Sequence, residues 1–480
     1  MTLSAPLLAA LAAHRLGLGE PDLAVVGSDA RGWLKAQIGP ADPQLGANLP
    51  NLAEAFARQV ASRQSGTDEA KAALRLQSQN DIRARLLTAG SSRRPFAERL
   101  ALFWCNHFTV SLGKGSSQGL VGAFEREAIR PRIAGRFADL LEAAVSHPAM
   151  LRYLDNHLSA GPQSQVVQRL RRRAASDASE GAPKPPRLTG LNENLAREVL
   201  ELHTLGVTGG GGAYGPWGGY GQADVTALAA VLAGWRGPRE QAYASGAASG
   251  IAASGSAASG SGPNAFDPNW QQPGPKTVLG KSYAEGPQAL RAVLDDLARH
   301  PSTARFIATK LARHLVADQP PPALVARLAA RFTETDGDLS AVYTALIAAP
   351  ETWAGNAAKL KTPEEFVISS ARLLRVGDKL ASRAPDAGLT ALGQRPHSAP
   401  SPAGWSDLAA DWLGPEAVWQ RLEWAVLVAE RLGGATDARA LAAASLGPLL
   451  SETTGFQISR AADGPQALTL LLMAPEFQRR

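Results

Sequence analysis

The sequence is poor in cysteine, in aromatic residues and in long apolar runs, and each shortage excludes a kind of structure. Cys105 is the one cysteine among 480 residues, so the chain cannot form an intramolecular disulfide. Aromatic residues make up 6% of the chain, and no stretch approaches the roughly 20 apolar residues of a membrane-spanning helix. The sequence therefore predicts a fold without disulfides and without a membrane span.

The first residues lack the features of a secretory signal. Residues 1–13 are apolar, but they have no basic segment at the start and they include Pro6. They run directly into His14 without a small-residue cleavage site and a polar break. We interpret them as the first structural helix, and the chain as given predicts a cytoplasmic protein.

A strong excess of one charge is also missing. The net charge is +6, and the 43 acidic residues are interspersed with the 49 basic ones. The densest basic run, at 169–173, precedes a segment rich in Ser, Pro and Ala, and no nucleic-acid-binding motif accompanies it. We expect no nucleic-acid partner.

Helix-forming residues, in contrast, are abundant. Ala and Leu are frequent, and the chain lacks the β-branched enrichment that is typical of strands. Apolar residues recur at three- and four-residue steps, as in Phe96, Leu100 and Phe103. These features predict an all-α protein of two packed helical lobes, with a short hairpin-like segment at 266–283.

A stretch of small residues suggests the boundary between the lobes. Residues 242–262 are almost wholly Ala, Gly and Ser, and they bury too little apolar surface to offset the entropy of ordering. We assign 1–240 to an N-terminal lobe with the candidate site, 241–264 to a flexible insertion, and 265–480 to a C-terminal lobe.

One predicted helix concentrates polar residues that can do chemistry. It opens near Asn192, which can cap it. The helical repeat places Asn194, Glu198 and Glu201 on one face, with Arg197 adjacent. Apolar residues flank this face on both sides, which favours a packed environment, and buried carboxylates require a partner. The alternative interpretation is a solvated face with weak i,i+4 ion pairs.

His107 is the partner that we propose for these carboxylates, because it directly follows an apolar helix. Helical proteins bind iron, manganese or zinc at carboxylate-rich sites, so one hypothesis is a divalent metal on His107, Glu198 and Glu201. The alternative is a structural hydrogen bond or a helix-dipole contact of His107. The Glu-x-x-His pairs of ferritin-like proteins and the zincin, Gly-x-Ser-x-Gly and Walker motifs are absent.

Several further motifs lie in order along nearly the whole chain. They occupy 103–108, 147–151, 153–156, 191–207, 224–226, 233–235, 276–280, 392–394, 402–405 and 474–477. Together they closely resemble the family called domain of unknown function 1800. Asn106, Asn192, Asn194, Asp224 and Trp235 lie in these motifs, and we treat them as candidate binding residues.

One position departs from the family pattern. Before the motif at 276–280, relatives usually have a histidine followed by an acidic residue, whereas this chain has Gln271 and Gln272. An amide does not titrate and is a weak metal ligand, so Gln271 cannot replace a histidine in either role. The departure predicts an altered or inactive copy if that histidine acts in relatives.

Two functions of different classes fit these residues. The first is a hydrolytic or metal-assisted enzyme in which Glu198 or Glu201 is an acid–base group or ligand and Arg197 orients an anionic group. The second is a non-catalytic helical partner or maturation factor. The resemblance implies bacterial proteins that are often exported, with the periplasm as the alternative location. It also implies a partner encoded nearby, of the domain of unknown function 1501 family.

Overall fold

α-Helices dominate the structure, which is a computed structural model that describes residues 3–177, 190–206, 219–238, 266–354, 359–382 and 384–480. Two short strands accompany them. The prediction of an all-α fold with a short hairpin is therefore confirmed. Within the described ranges, no helix is both long enough and apolar enough to cross a membrane.

The first half of the chain forms short and medium helices. Their bounds are α1 Ala5–Leu11, α2 Ala30–Lys35, α3 Leu52–Ser65, α4 Asp68–Ser91, α5 Pro95–His107, α6 Val121–Phe124, α7 Phe137–Ser146, α8 Pro148–Tyr153, α9 Gln165–Asp177, α10 Asn194–Glu198 and α11 Gln222–Leu232. Local sequence signals mark where helices begin. At the start of α3, the side chains of Asn51 and Glu54 each accept a hydrogen bond from the other residue's backbone N–H, which forms a capping box. Such caps satisfy N–H groups that the first helical turn leaves unpaired.

The second half continues with a hairpin and further helices. Their bounds are β1 Lys276–Val278, β2 Lys281–Tyr283, α12 Gln288–Arg299, α13 Pro301–Leu315, α14 Pro322–Glu334, α15 Leu339–Ala348, α16 Pro350–Trp353, α17 Pro363–Leu373, α18 Pro415–Leu432, α19 Ala438–Leu446, α20 Glu452–Ser459, α21 Gly464–Met473 and α22 Pro475–Gln478. β1 and β2 are antiparallel, with Thr277 opposite Ser282. Leu279 and Gly280 turn the chain with φ of 49° and 76°, as expected for a two-residue hairpin loop.

Some helical segments are wound more widely than an α-helix. In the described part of the chain these π-helices are Ala12–Leu16, Glu125–Ile129 and Val199–Thr204. The third continues α10 without a break, and the Leu205 N–H bonds the Leu200 carbonyl five residues earlier at 2.9 Å. The helix predicted from Asn192 therefore differs from a regular α-helix in its second half. Such π-turns are frequent at functional sites.

The buried apolar side chains form two clusters. Residues between 9 and 353 make the larger cluster, and residues of 366–477 make the second together with parts of α4 and α5. The boundary between the two clusters therefore lies near residue 354, and the buried apolar side chains of 266–353 pack with N-terminal residues. The insertion at 241–264 lies outside the described residues, so its flexibility and its role as a boundary remain predictions.

Candidate functional site

α10 and the π-helix that continues it carry the predicted catalytic residues. The Asn192 side chain accepts a hydrogen bond from the N–H of Asn194, the first residue of α10, at 2.9 Å. The N-cap position itself is Glu193, whose side chain makes no capping bond, so the cap predicted at Asn192 lies one residue too early. Asn194 is exposed, whereas Arg197, Glu198 and Glu201 are half-buried. The predicted polar face thus lies at the surface but is partly shielded from water.

Glu198 lies close enough to Glu201 for the Glu201 charge to affect its ionisation. Burial raises the pKa of Glu198, the Glu201 charge raises it further, and Arg197 lowers it by less. Burial, followed by the Glu198 charge, raises the pKa of Tyr153 to about 12. Burial and then Glu201 also raise the pKa of Tyr220. We call these five side chains the carboxylate cluster.

Arg197 has its polar contacts outside the two carboxylates. Its guanidinium lies 3.5 Å from the Glu193 carboxylate and donates to the Gln222 side chain at 3.2 Å. Hydrogen bonds from Thr226 and Gln222, each of 2.7 Å, lower the pKa of Glu193. Among the described residues, Glu198 forms neither an ion pair nor a hydrogen bond through its carboxyl group.

His107 is enclosed by aromatic rings and backbone. Its Nε2 donates to the His203 carbonyl at 3.2 Å, and its ring centroid lies 4.5 Å from that of Phe108 and 5.2 Å from that of Trp104. Burial holds the pKa of His107 well below its usual value, and the charge of Lys310 adds to this effect. Burial therefore disfavours the charged form of the ring, and its hydrogen bond to backbone is of the kind that the alternative interpretation describes, while the role of His107 stays a prediction.

The predicted metal ligands do not form one set. The described residues contain no group of three or more His, Cys, Asp or Glu side chains that could hold a metal ion. His107, Glu198 and Glu201 are all described, and the structure does not bring them together as ligands. The physical reason is that the end of α5 directs the His107 ring into the apolar core.

Asn106 and Asp224, two of the predicted binding residues, fix the backbone of other segments. The Asn106 amide donates to the Trp405 carbonyl at 2.9 Å and accepts from the Trp405 N–H at 2.8 Å. The Asp224 carboxylate accepts from the N–H groups of Leu279 and Gly221 at 2.7 and 2.8 Å. Both side chains have their hydrogen-bonding groups occupied by protein, which gives each a structural role.

Trp235 and Gln271 are buried side chains with contacts of their own. The Trp235 ring packs against Phe266 at 5.6 Å, and its carbonyl accepts from the Asn156 amide at 2.8 Å. The Gln271 amide donates to the Gly286 carbonyl at 3.5 Å. The amide at position 271 therefore binds the backbone carbonyl of Gly286, and this role needs no titratable group.

The structure also contains buried ion pairs that the sequence did not indicate. Arg85 donates to Glu125 and, at 2.6 Å, to Glu364. His397 contacts the same Glu125 carboxylate through Nε2 at 3.2 Å. Burial opposes ionisation of Glu125, but Arg85 and His397 hold its pKa well below the usual range. The partners lie tens to hundreds of residues apart, so no local pattern reveals them.

A second carboxylate, Glu365, lies between two guanidinium groups. Arg480 donates to it at 2.7 Å, and Arg99 donates to the same oxygen. Burial again opposes ionisation, yet Arg480 and Arg99 hold the pKa of Glu365 well below its usual range. We call these groups together the ion-pair network, whose members are Arg85, Arg99, Glu125, Glu364, Glu365, His397 and Arg480.

Two small cavities lie within the ion-pair network. Their volumes are about 40 and 50 Å³, and both are lined by Arg85, Asn106, Glu364, Gln394 and Trp405. A polar cavity of this size has room for a few water molecules and is too small for an organic substrate. The network therefore cross-links the fold.

These features describe an all-α protein whose described residues include a half-buried carboxylate cluster and an enclosed network of ion pairs. Its residues 11–479 match the family described as "Protein of unknown function (DUF1800)". The chain belongs to this family, and the resemblance of its motifs is confirmed. Comparison with curated proteins and comparison with solved structures find no match. Membership in the family assigns no activity.

Proposed function

We propose that the protein is a hydrolytic enzyme whose acid–base groups are Glu198 and Glu201. The observation that carries the proposal is the half-buried Glu198 carboxyl, which lies beside a second carboxyl and has a raised pKa. Such a carboxyl can keep a proton closer to neutral pH and donate it to a leaving group. The neighbouring carboxylate can accept a proton from the attacking water. Pairs of carboxyls in unequal environments divide acid and base roles in this way.

The other members of the carboxylate cluster support this chemistry. Tyr153 and Tyr220 have raised pKa values, so both phenols stay protonated at neutral pH. A phenol O–H can donate a hydrogen bond to negative charge that develops on a substrate. The partly exposed guanidinium of Arg197 can orient an anionic group of the substrate.

The test is a set of pH profiles with matched variants. Wild-type protein is assayed with p-nitrophenyl acetate, phosphate and glucoside, beside Glu198→Gln, Glu201→Gln and the control Glu334→Gln. We expect turnover of one substrate, and a loss of about 10²- to 10⁴-fold in each of the first two variants. Glu334 is an exposed carboxylate of α14 outside the carboxylate cluster, so the control should keep its activity. Equal losses in all three variants, or no turnover by wild type, would contradict the proposal.

A second function is favoured by one surface feature. Near the start of α18, Leu413, Val418 and Trp419 expose 42%, 40% and 57% of their surface. Adjacent exposed apolar side chains are typical of a surface that a partner covers. We propose a protein of the domain of unknown function 1501 family as that partner. Co-purification should survive Glu198→Gln and be lost in Trp419→Ser, whereas loss in neither would contradict this second function.

A further inference from the structure

A third cavity, in the second apolar cluster, is large enough for an organic ligand. It has a volume of about 580 Å³ and lies between α17 and α18. Its walls are mainly apolar and include Val367, Leu374, Leu380, Trp424 and Val428. Small-molecule sites typically have volumes of roughly 300 to 1,000 Å³ and mostly apolar walls. No member of the carboxylate cluster lines this cavity, so its ligand is independent of the proposed hydrolytic function.

The charged groups at this cavity all have the same sign. Lys379 and Arg431 are the charged side chains among the described residues that line it, and both are exposed. Neither cation forms an ion pair or a side-chain hydrogen bond within the described part of the chain. The cavity therefore combines an apolar interior with unpaired positive charge at its edge.

The segment along the edge of the cavity has a constrained backbone. Arg375, Ala381 and Ala387 have φ of 55°, 65° and 52°, in the left-handed region that L-residues rarely adopt. The Trp424 indole donates to the Ala387 carbonyl at 3.0 Å and fixes the segment to α18. Strained backbone of this kind is common where a protein holds a ligand.

We propose that this cavity binds a single-chain amphiphile with an anionic head group. The apolar chain lies beside Trp424, and the head group lies between Lys379 and Arg431. Charge complementarity selects this ligand, since a neutral or cationic amphiphile leaves both cations unpaired. A carboxylate and a phosphate monoester carry the same recognition chemistry.

Titration calorimetry tests the role of charge. Dodecanoate and dodecyl phosphate are compared with dodecanol and dodecyltrimethylammonium, all below their micelle concentrations. We expect one-to-one binding of an anion, at least tenfold tighter than of the neutral or cationic probe. The double variant Lys379→Glu/Arg431→Glu should weaken anion binding at least tenfold, while Lys35→Glu, an exposed charge reversal on α2, should not. Equal binding of all four probes, or no binding, would overturn the proposal.

A second variant tests the location of the chain. Val428 is half-buried and lines the cavity, so Val428→Phe adds volume there without removing a wall. We expect loss of dodecanoate binding at an unchanged melting temperature. An acidic amphipathic peptide that binds while dodecanoate does not would assign the cavity to a protein partner and overturn the proposal.

Discussion

Glu198 and Glu365 are the same chemical group in opposite electrostatic surroundings. Burial disfavours the charged form of both. Glu365 has two guanidinium groups on its oxygens and a lowered pKa, whereas Glu198 has a second carboxyl beside it and a raised pKa. The position of cations therefore decides the sign of the shift. It separates a carboxyl that can transfer a proton from one that cross-links the fold.

The largest effect that this comparison predicts is on stability. Glu365→Ala leaves Arg99 and Arg480 buried without their carboxylate, so we expect a loss of about 3 to 5 kcal/mol in the free energy of unfolding. Denaturant titration followed by circular dichroism measures it. Glu334→Ala removes an exposed carboxylate 3.6 Å from Arg331 and should cost about 1 kcal/mol or less. Similar losses of unfolding free energy in Glu365→Ala and Glu334→Ala would contradict the difference expected between the buried and the exposed carboxylate.

Acid should destabilise the protein in two overlapping ranges of pH. Burial lowers the pKa of His14, His147 and His203 to about 3. Unfolding raises these values to about 6.5, so the unfolded chain binds protons first and stability falls as pH drops below about 6.5. The expected slope is about 1 kcal/mol per pH unit for each histidine. Thermal melting between pH 7 and 5 measures it, and His203→Gln should flatten the slope.

Glu125 and Glu365 act in the lower range, whereas Glu198 acts at higher pH and with the opposite sign. Glu125 and Glu365 have lowered folded pKa values, so their contribution is present above about pH 4.5 and is lost as pH falls further. Glu198 has a raised folded pKa, so its protonation relieves a penalty instead. A free energy of unfolding that stays constant from pH 7 to 3 would contradict the losses expected from the histidines and from Glu125 and Glu365.

The smallest expected effect is that of Glu198→Gln on stability. The variant removes a charge that burial and Glu201 disfavour, so we expect unfolding free energy at pH 7 to stay equal or to rise by about 0.5 kcal/mol or less. Because the side chain is partly exposed, solvent screening keeps the change small. Denaturant titration beside Glu365→Gln checks it. A loss above about 2 kcal/mol would place Glu198 among structural residues.

Sequence periodicity predicted the helical fold, because an α-helix expresses local repeats directly. The face predicted for Asn194, Glu198 and Glu201 assumed a regular α-helix, and local repeats did not reveal that Glu201 lies in the π-helix Val199–Thr204. The pairing of Arg85 with Glu364 joins positions 279 residues apart, and it depends on tertiary packing that no local pattern encodes. The proposed partnership of His107 with the glutamates had the same weakness. The sequence showed that His107 follows an apolar helix, but not that aromatic rings enclose it.

The wide π-turn of Val199–Thr204 follows Glu198 directly and contains Glu201, and this placement has a genetic consequence. A π-turn holds one residue more than the α-helical turn that it replaces. Deletion of a single codon within it would let the helix close into regular α-form without breaking the chain's course. Since the wide turn absorbs its extra residue locally, the helix beyond Thr204 would keep its orientation, and the deletion would move only side chains within the turn, Glu201 among them. One in-frame codon is thus the smallest inherited change that can disconnect the two carboxyls.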